Sequence, residues 1–115
     1  MKPESSKTAA ARSQYERLRQ GLSGLGYISQ GSVQDRTMRK GGGAGYQWTR
    51  KVAQKTVTVS LTAEQFERLK EAVENYRRLR KHLAEMERLS RKIIFHEAPH
   101  QARRKRLSAK VLGVN

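Results

Sequence analysis

Tyr46-Gln47-Trp48-Thr49-Arg50-Lys51-Val52, a break at Ala53-Gln54, and Lys55-Thr56-Val57-Thr58-Val59-Ser60-Leu61 run straight into Thr62-Ala63-Glu64-Gln65-Phe66. Both runs are rich in aromatic and β-branched residues, and the short polar break between them predicts a β-hairpin. In the second run Val57, Val59 and Leu61 alternate with Thr56, Thr58 and Ser60, so one face is expected to be apolar and the other wet. Thr62 with Gln65 three residues on forms a capping box, and Glu64 puts an acid in the first turn, where the helix dipole favours it. The hairpin is therefore predicted to open directly into a helix.

That helix is expected from about Ala63 to His96, because no glycine or proline interrupts the chain before Pro99. Leu69, Tyr76 and Leu83 recur at sevens, as do Ala72, Leu79, Met86 and Ile93, which is close to the coiled-coil period. Phe66 and Val73 widen this stripe at its start. The front half is expected to pack on the sheet. The back half, from roughly Tyr76, is expected to pair with another helix, either an N-terminal one or one from a second copy. Tyr76, Leu79, Leu83, Met86 and Ile93 are the candidate partner seam.

Upstream, residues 6 to 20 read as a short helix carrying Ala11, Tyr15, Leu18 and Leu22 at helical spacing. Gly21, Gly24 and Gly26 mark a turn, Ile28 to Met38 suits a strand or an irregular segment, and Lys40 to Gly45 is a glycine-rich loop. Downstream of Pro99, Gln101 to Leu112 has the composition of a last basic helix. The expected organisation is an N-terminal helix and turn (1–26), a core of sheet plus long helix (27–96) and a basic tail (97–115). The fold class is a small α+β protein: a two- or three-stranded antiparallel sheet packed on a long, coiled-coil-like helix.

The 115 residues hold 25 Lys and Arg against 10 Asp and Glu, a formal charge of +15, and no cysteine. Disulfides, cysteine-ligated zinc and a thiol nucleophile are excluded, and the length leaves no room for a large catalytic core. The longest apolar run, Ile93-Ile94-Phe95, predicts no membrane span, and residues 1–14 have no signal-peptide pattern, so a cytoplasmic protein is expected. A polycation of this size has nucleic acid as its default partner, through counterion release. No acid lies between Asp35 and Glu64, while Arg36, Arg39, Lys40, Arg50, Lys51 and Lys55 do, interleaved with Tyr46 and Trp48. Such a hairpin could lie in a DNA major groove or stack single-stranded bases; alternatively, Trp48 and Tyr46 are core beneath the helix. Arg103, Arg104, Lys105 and Arg106 form a second basic cluster suited to phosphate contact.

No catalytic set emerges. His96-Glu97-Ala98-Pro99-His100 matches the zinc-protease pattern by letter, but Pro99 breaks the helical turn that would align the two histidines. The glycine loop lacks the Gly-Lys-Ser/Thr that opens a phosphate-binding helix. No enzyme activity, cofactor or metal is expected.

Gly31-Ser32-Val33-Gln34-Asp35-Arg36, Gly45-Tyr46-Gln47-Trp48, Lys55 to Leu61 and Val73-Glu74-Asn75-Tyr76-Arg77-Arg78-Leu79-Arg80, in that order, resemble a widespread family of small bacterial proteins of unknown function often encoded with mobile elements. The likeness covers about residues 27 to 95. Members commonly carry cysteines before the aromatic strand, suggestive of a metal site; Arg39 to Gly45 has none, so no metal is carried over. Three short strands followed by a helix are also similar in layout, over residues 30 to 80, to the arm-type DNA-binding domain of tyrosine recombinases, whose sheet enters the major groove. Ribbon-helix-helix repressors, which also run from strand into helix, rank lower because their first helix ends early.

Together these readings predict a non-catalytic nucleic-acid-binding protein, with DNA preferred over RNA on the strength of the resemblances, associated with a mobile element. The alternative is an accessory subunit that docks its long helix on a larger nucleic-acid enzyme, a transposase or nuclease. A homodimer through the same helix is the further partner expectation.

Overall fold

The structure, a computed structural model, describes residues 6–37, 45–100 and 106–115. Its elements are helix α1 (Ser6–Gly21), strands β1 (Ser32–Asp35), β2 (Tyr46–Val52) and β3 (Lys55–Leu61), helix α2 (Ala63–Glu97) and helix α3 (Ala109–Leu112). A 3-10 turn at Leu22–Gly24 follows α1. The three strands form one antiparallel sheet in the order β1-β2-β3, so the fold is α+β as its alternation predicts. The chain divides into two compact units, Leu25–Leu79 and Met1–Gly24 with Arg80–Asn115, and the boundary falls within α2. This division follows packing and joins stretches distant in sequence, whereas the breaks at residues 26 and 96 follow composition.

In the sheet unit, Val52 pairs with Lys55, leaving a two-residue loop. Both loop residues have left-handed φ, 49° at Ala53 and 68° at Gln54, which is the type I′ geometry whose twist matches a hairpin. Neither residue is the Asn or Gly that this geometry favours. At the other end of β3 the capping box closes in both directions: Thr62 N–H donates to Gln65 Oε1 (2.9 Å) and Gln65 N–H donates to Thr62 Oγ1 (3.1 Å). The first turn of α2 is thereby launched back over the sheet, where Phe66 stacks on Tyr46 at 4.6 Å between ring centres. Phe66, Ala72 and Val73 form the buried core of this unit.

The segment before β1 is held to α2 by polar contacts. Ser29 N–H donates to Ala72 O (3.1 Å), and the buried Asn75 donates from Nδ2 to Tyr27 O (3.0 Å). The reading of Ile28 to Met38 as strand or irregular chain resolves into both: residues 27–30 lie along the helix, and pairing begins at Ser32.

In the helical unit, α1 runs antiparallel to the back half of α2. Gly21 lies beside His82, Gln14 Nε2 donates to Glu85 Oε1 (3.3 Å), and Arg12 pairs with Glu97. Of the two partners open to the back half, the N-terminal helix occupies this face. Ala11, Met86 and Leu89 are buried here, Leu89 being only 1% exposed. Hydrogen bonds from Arg88 hold the Glu85 carboxyl below the usual carboxylate range.

Of the basic helix expected from Gln101 to Leu112, residues 101–105 lie outside the described residues and residues 106–108 are not helical. Ser108 is extended and caps α3, its Oγ accepting from Val111 N–H (3.2 Å), so helix begins only at Ala109. Gly113, at φ 70°, ends the single turn, and its carbonyl accepts from Arg91 Nε (2.7 Å). Arg88 Nη1 donates to Val114 O (3.3 Å).

The left-handed loop gives a direct test. Replacing Ala53-Gln54 with Asn-Gly is expected to raise thermal stability by about 1–2 kcal/mol, read as a higher unfolding midpoint with unchanged circular dichroism.

Candidate nucleic-acid interface

Directly paired residues of antiparallel strands project to the same face, so the register sorts every strand side chain. Val33 opposes Trp48, which opposes Val59; Tyr46 opposes Leu61 and Arg50 opposes Val57. Since Tyr46 meets Phe66, this is the face toward α2. The opposite face pairs Ser32 with Thr49 and Thr58, Gln34 with Gln47 and Ser60, and Lys51 with Thr56. It consists of five hydroxyls, two amides and Lys51, each exposed or half-buried.

Arg36 extends that polar face. Its N–H continues the ladder to Gly45 O (2.7 Å), and its guanidinium donates through Nε (3.1 Å) and Nη2 (2.9 Å) to Gln34 Oε1. Lys51 and Arg36 thus stand at opposite ends, separated along β2 by roughly 20 Å at about 3.3 Å per residue. Between them lie only uncharged hydrogen-bonding side chains. Asp35, the nearest acid in sequence, belongs to the helix side. The Thr37 hydroxyl (2.5 Å) and backbone N–H (2.9 Å) bond its Oδ1 and hold its pKa below the ordinary aspartate value.

The basic residues singled out in the sequence therefore separate. Arg36 and Lys51 share the polar face, while Arg50 and Lys55 fall on the helix side, the Arg50 guanidinium lying 4.3 Å over the Trp48 ring. Arg39 and Lys40 lie outside the described residues, as do Arg103, Arg104 and Lys105; Arg106 is exposed ahead of α3. Trp48 and Tyr46 are on the helix side, so base stacking on them cannot be combined with contacts from Lys51 and Arg36. Gln34, Gln47, Thr49 and Thr58 share the polar face with Arg36 and Lys51. The alternation of the hairpin placed Thr58 on the wet side, but only the pairing with β1 places the two glutamines next to each other.

On the helix side an apolar groove of about 460 Å³ remains open, with Ile28, Trp48, Val59, Leu61 and Leu69 among its lining. Tyr27 on its edge is 81% exposed. Arg68 stands in its wall, and neither Arg68 nor Arg50 makes an ion pair among the described residues.

Of the partner seam, Tyr76 and Leu79 are half-buried in the sheet unit, where Gln30 Nε2 donates to the Tyr76 hydroxyl (3.3 Å). In the helical unit Met86 is buried, Ile93 half-buried and Leu83 exposed. Leu89, the most buried residue of that unit's core, lies outside the heptad positions named from sequence. At the end of α2, Glu97 pairs with Arg12 and His100 stacks on Phe95 at 5.2 Å. Among the described residues no cluster of His, Asp or Glu is arranged to hold a metal ion, and no helix is long and apolar enough to cross a membrane.

Compared with known proteins, the chain matches no protein-family model, no curated protein and no solved structure.

Gly31 precedes β1 and lies beside Trp48. At φ 108° it has no β-carbon; one added there would fall 2.7 Å from Thr49 O and against the Trp48 indole nitrogen, which donates to Gln30 O (3.0 Å). Gly31→Ala is expected to cost about 1–3 kcal/mol and to red-shift the fluorescence of Trp48 as its indole is displaced. Trp48 is the single tryptophan of the chain, so the spectrum reports this site alone.

Proposed function

We propose that this chain is a non-catalytic DNA-binding protein that lays the polar face of its sheet in the major groove of duplex DNA. The observation that carries the reading is the composition of that face: a cation at each end, Lys51 and Arg36, and an uncharged centre of amides and hydroxyls. Cations suit phosphates, and Arg, Gln, Ser and Thr suit base edges, so one surface combines positioning and readout. The sheet's outer strands lie about 10 Å apart, which fits the ~12 Å width of the B-DNA major groove. The major groove of A-form RNA is deep and narrow, and side chains do not read it, which favours DNA over RNA. The net charge of +15 supplies long-range attraction to either. The protein would act in the bacterial cytoplasm in the service of a mobile element, as the family resemblance implies.

A second reading has its own observation, the open groove on the helix side of the sheet unit. An apolar floor with Arg68 in its wall, which makes no ion pair among the described residues, complements an amphipathic acidic segment of a protein. On that reading the chain is an accessory subunit of a larger nucleic-acid enzyme, docked through the groove and the front of α2.

Titration of duplex DNA, single-stranded DNA and structured RNA across a salt series tests the first reading. Duplex DNA is expected to bind most tightly. Lys51→Ala is expected to weaken binding evenly across sequences and to reduce the salt slope by about one, while Arg50→Ala leaves both unchanged. Absence of duplex binding at low salt would overturn the proposal and leave the groove reading in its place.

A further inference from the structure

We infer that the Arg36–Gln34 pair makes guanine the base selected at one end of the polar face; this rests on the duplex-binding reading above. A free glutamine amide offers one acceptor and two donors, and its usual partner in the major groove is adenine, which presents N7 as acceptor and the N6 amino group as donor. Gln34 is not free in that sense. Its Oε1 receives two hydrogen bonds from one guanidinium, at 3.1 Å from Arg36 Nε and 2.9 Å from Nη2. Hydrogen bonds with an ionised partner are the stronger kind, so turning Oε1 toward a base would sacrifice them.

What the pair still offers is donors only: the Nε2 amino group of Gln34 and the remaining N–H groups of Arg36. Among the four major-groove edges, guanine alone presents two acceptors, N7 and O6, with no donor of its own. Adenine and cytosine would set an amino group against an amino group, and thymine offers a single acceptor beside a methyl group. Gln47, directly across the ladder from Gln34, has no hydrogen bond to another side chain among the described residues. Its amide keeps both functions. The two glutamines are chemically alike in sequence but differ in what they present, because one of them lies beside Arg36.

The test is selection of binding sites from a random-sequence duplex pool by the full chain, followed by affinity measurements on the selected duplex. The wild type is expected to enrich a site with one guanine position that depends on residue 34. Gln34→Met, of similar length, removes the amide donors and the oxygen that orients the Arg36 guanidinium, and should lose preference at that position by about tenfold or more and keep the remaining positions. Replacing that guanine with 7-deazaguanine, which removes the N7 acceptor, should weaken wild-type binding and add nothing to the Gln34→Met loss. Lys51→Ala serves as the contrast, lowering affinity without changing the selected site. Residue 34 is exposed on a short edge strand, and circular dichroism checks that each variant is folded. Adenine at the responding position, or a selected site in which no guanine responds to residue 34, would overturn the inference while leaving duplex binding intact. Loss of all duplex affinity in the wild type at low salt would instead bring down the underlying reading and this inference with it.

Discussion

Trp48 faces Val59 across the hairpin and Gln47 faces Ser60, and this register determines what each side of the sheet can do. Side chains alternate with a period of two, so a slip of one residue would send the tryptophan to solvent and the polar ladder against α2. The loop at Ala53-Gln54 holds the register with backbone geometry that its side chains do not favour. The apolar contacts it brings into line, Tyr46 with Phe66 foremost, offset that local cost. A strained turn is tolerable where the strands beyond it bury enough to hold the pairing.

The helix side of the sheet is only partly covered. Beyond Phe66, the segment 27–30 meets α2 through hydrogen bonds of Tyr27, Ser29 and Gln30 with the buried Asn75, Ala72 and Tyr76. Trp48 bridges these parts, its indole nitrogen bonded to Gln30 O and its ring under Arg50. The opening beside Trp48 follows from that arrangement. In the other unit, α1 lies along the back half of α2 and buries Met86 and Leu89, while Arg88 and Arg91 hold the turn at Gly113 by its carbonyls.

Electrostatics and hydrogen bonding point to function only when considered face by face. The sum of +15 is a property of the whole chain and attracts any polyanion. The cations of the sheet divide between two faces: Arg50 is engaged with an aromatic ring, whereas Lys51 and Arg36 bracket an uncharged surface of amides and hydroxyls. The absence of acids from 36 to 63 keeps that surface free of repulsion toward phosphate.

The hairpin, the capping box at Thr62, the long helix and the short N-terminal helix are legible in the chain, because each is set by local signals: alternation, a short polar break, side-chain bonds three residues apart and an unbroken helical run. The charge and the acid-free stretch are legible there as well. The sequence left open what the back half of α2 packs against, since a heptad stripe fits any helix that offers a matching face. It also left the basic cluster looking like one patch, because neighbours in sequence alternate between faces once they are in a strand. That Arg36 and Lys51 share a surface with Gln34 and Gln47 is visible in the folded sheet alone. That outcome depends on the pairing of β1 with β2, which are ten residues apart in sequence, and such a register is fixed by which side chains are buried together rather than by any local preference.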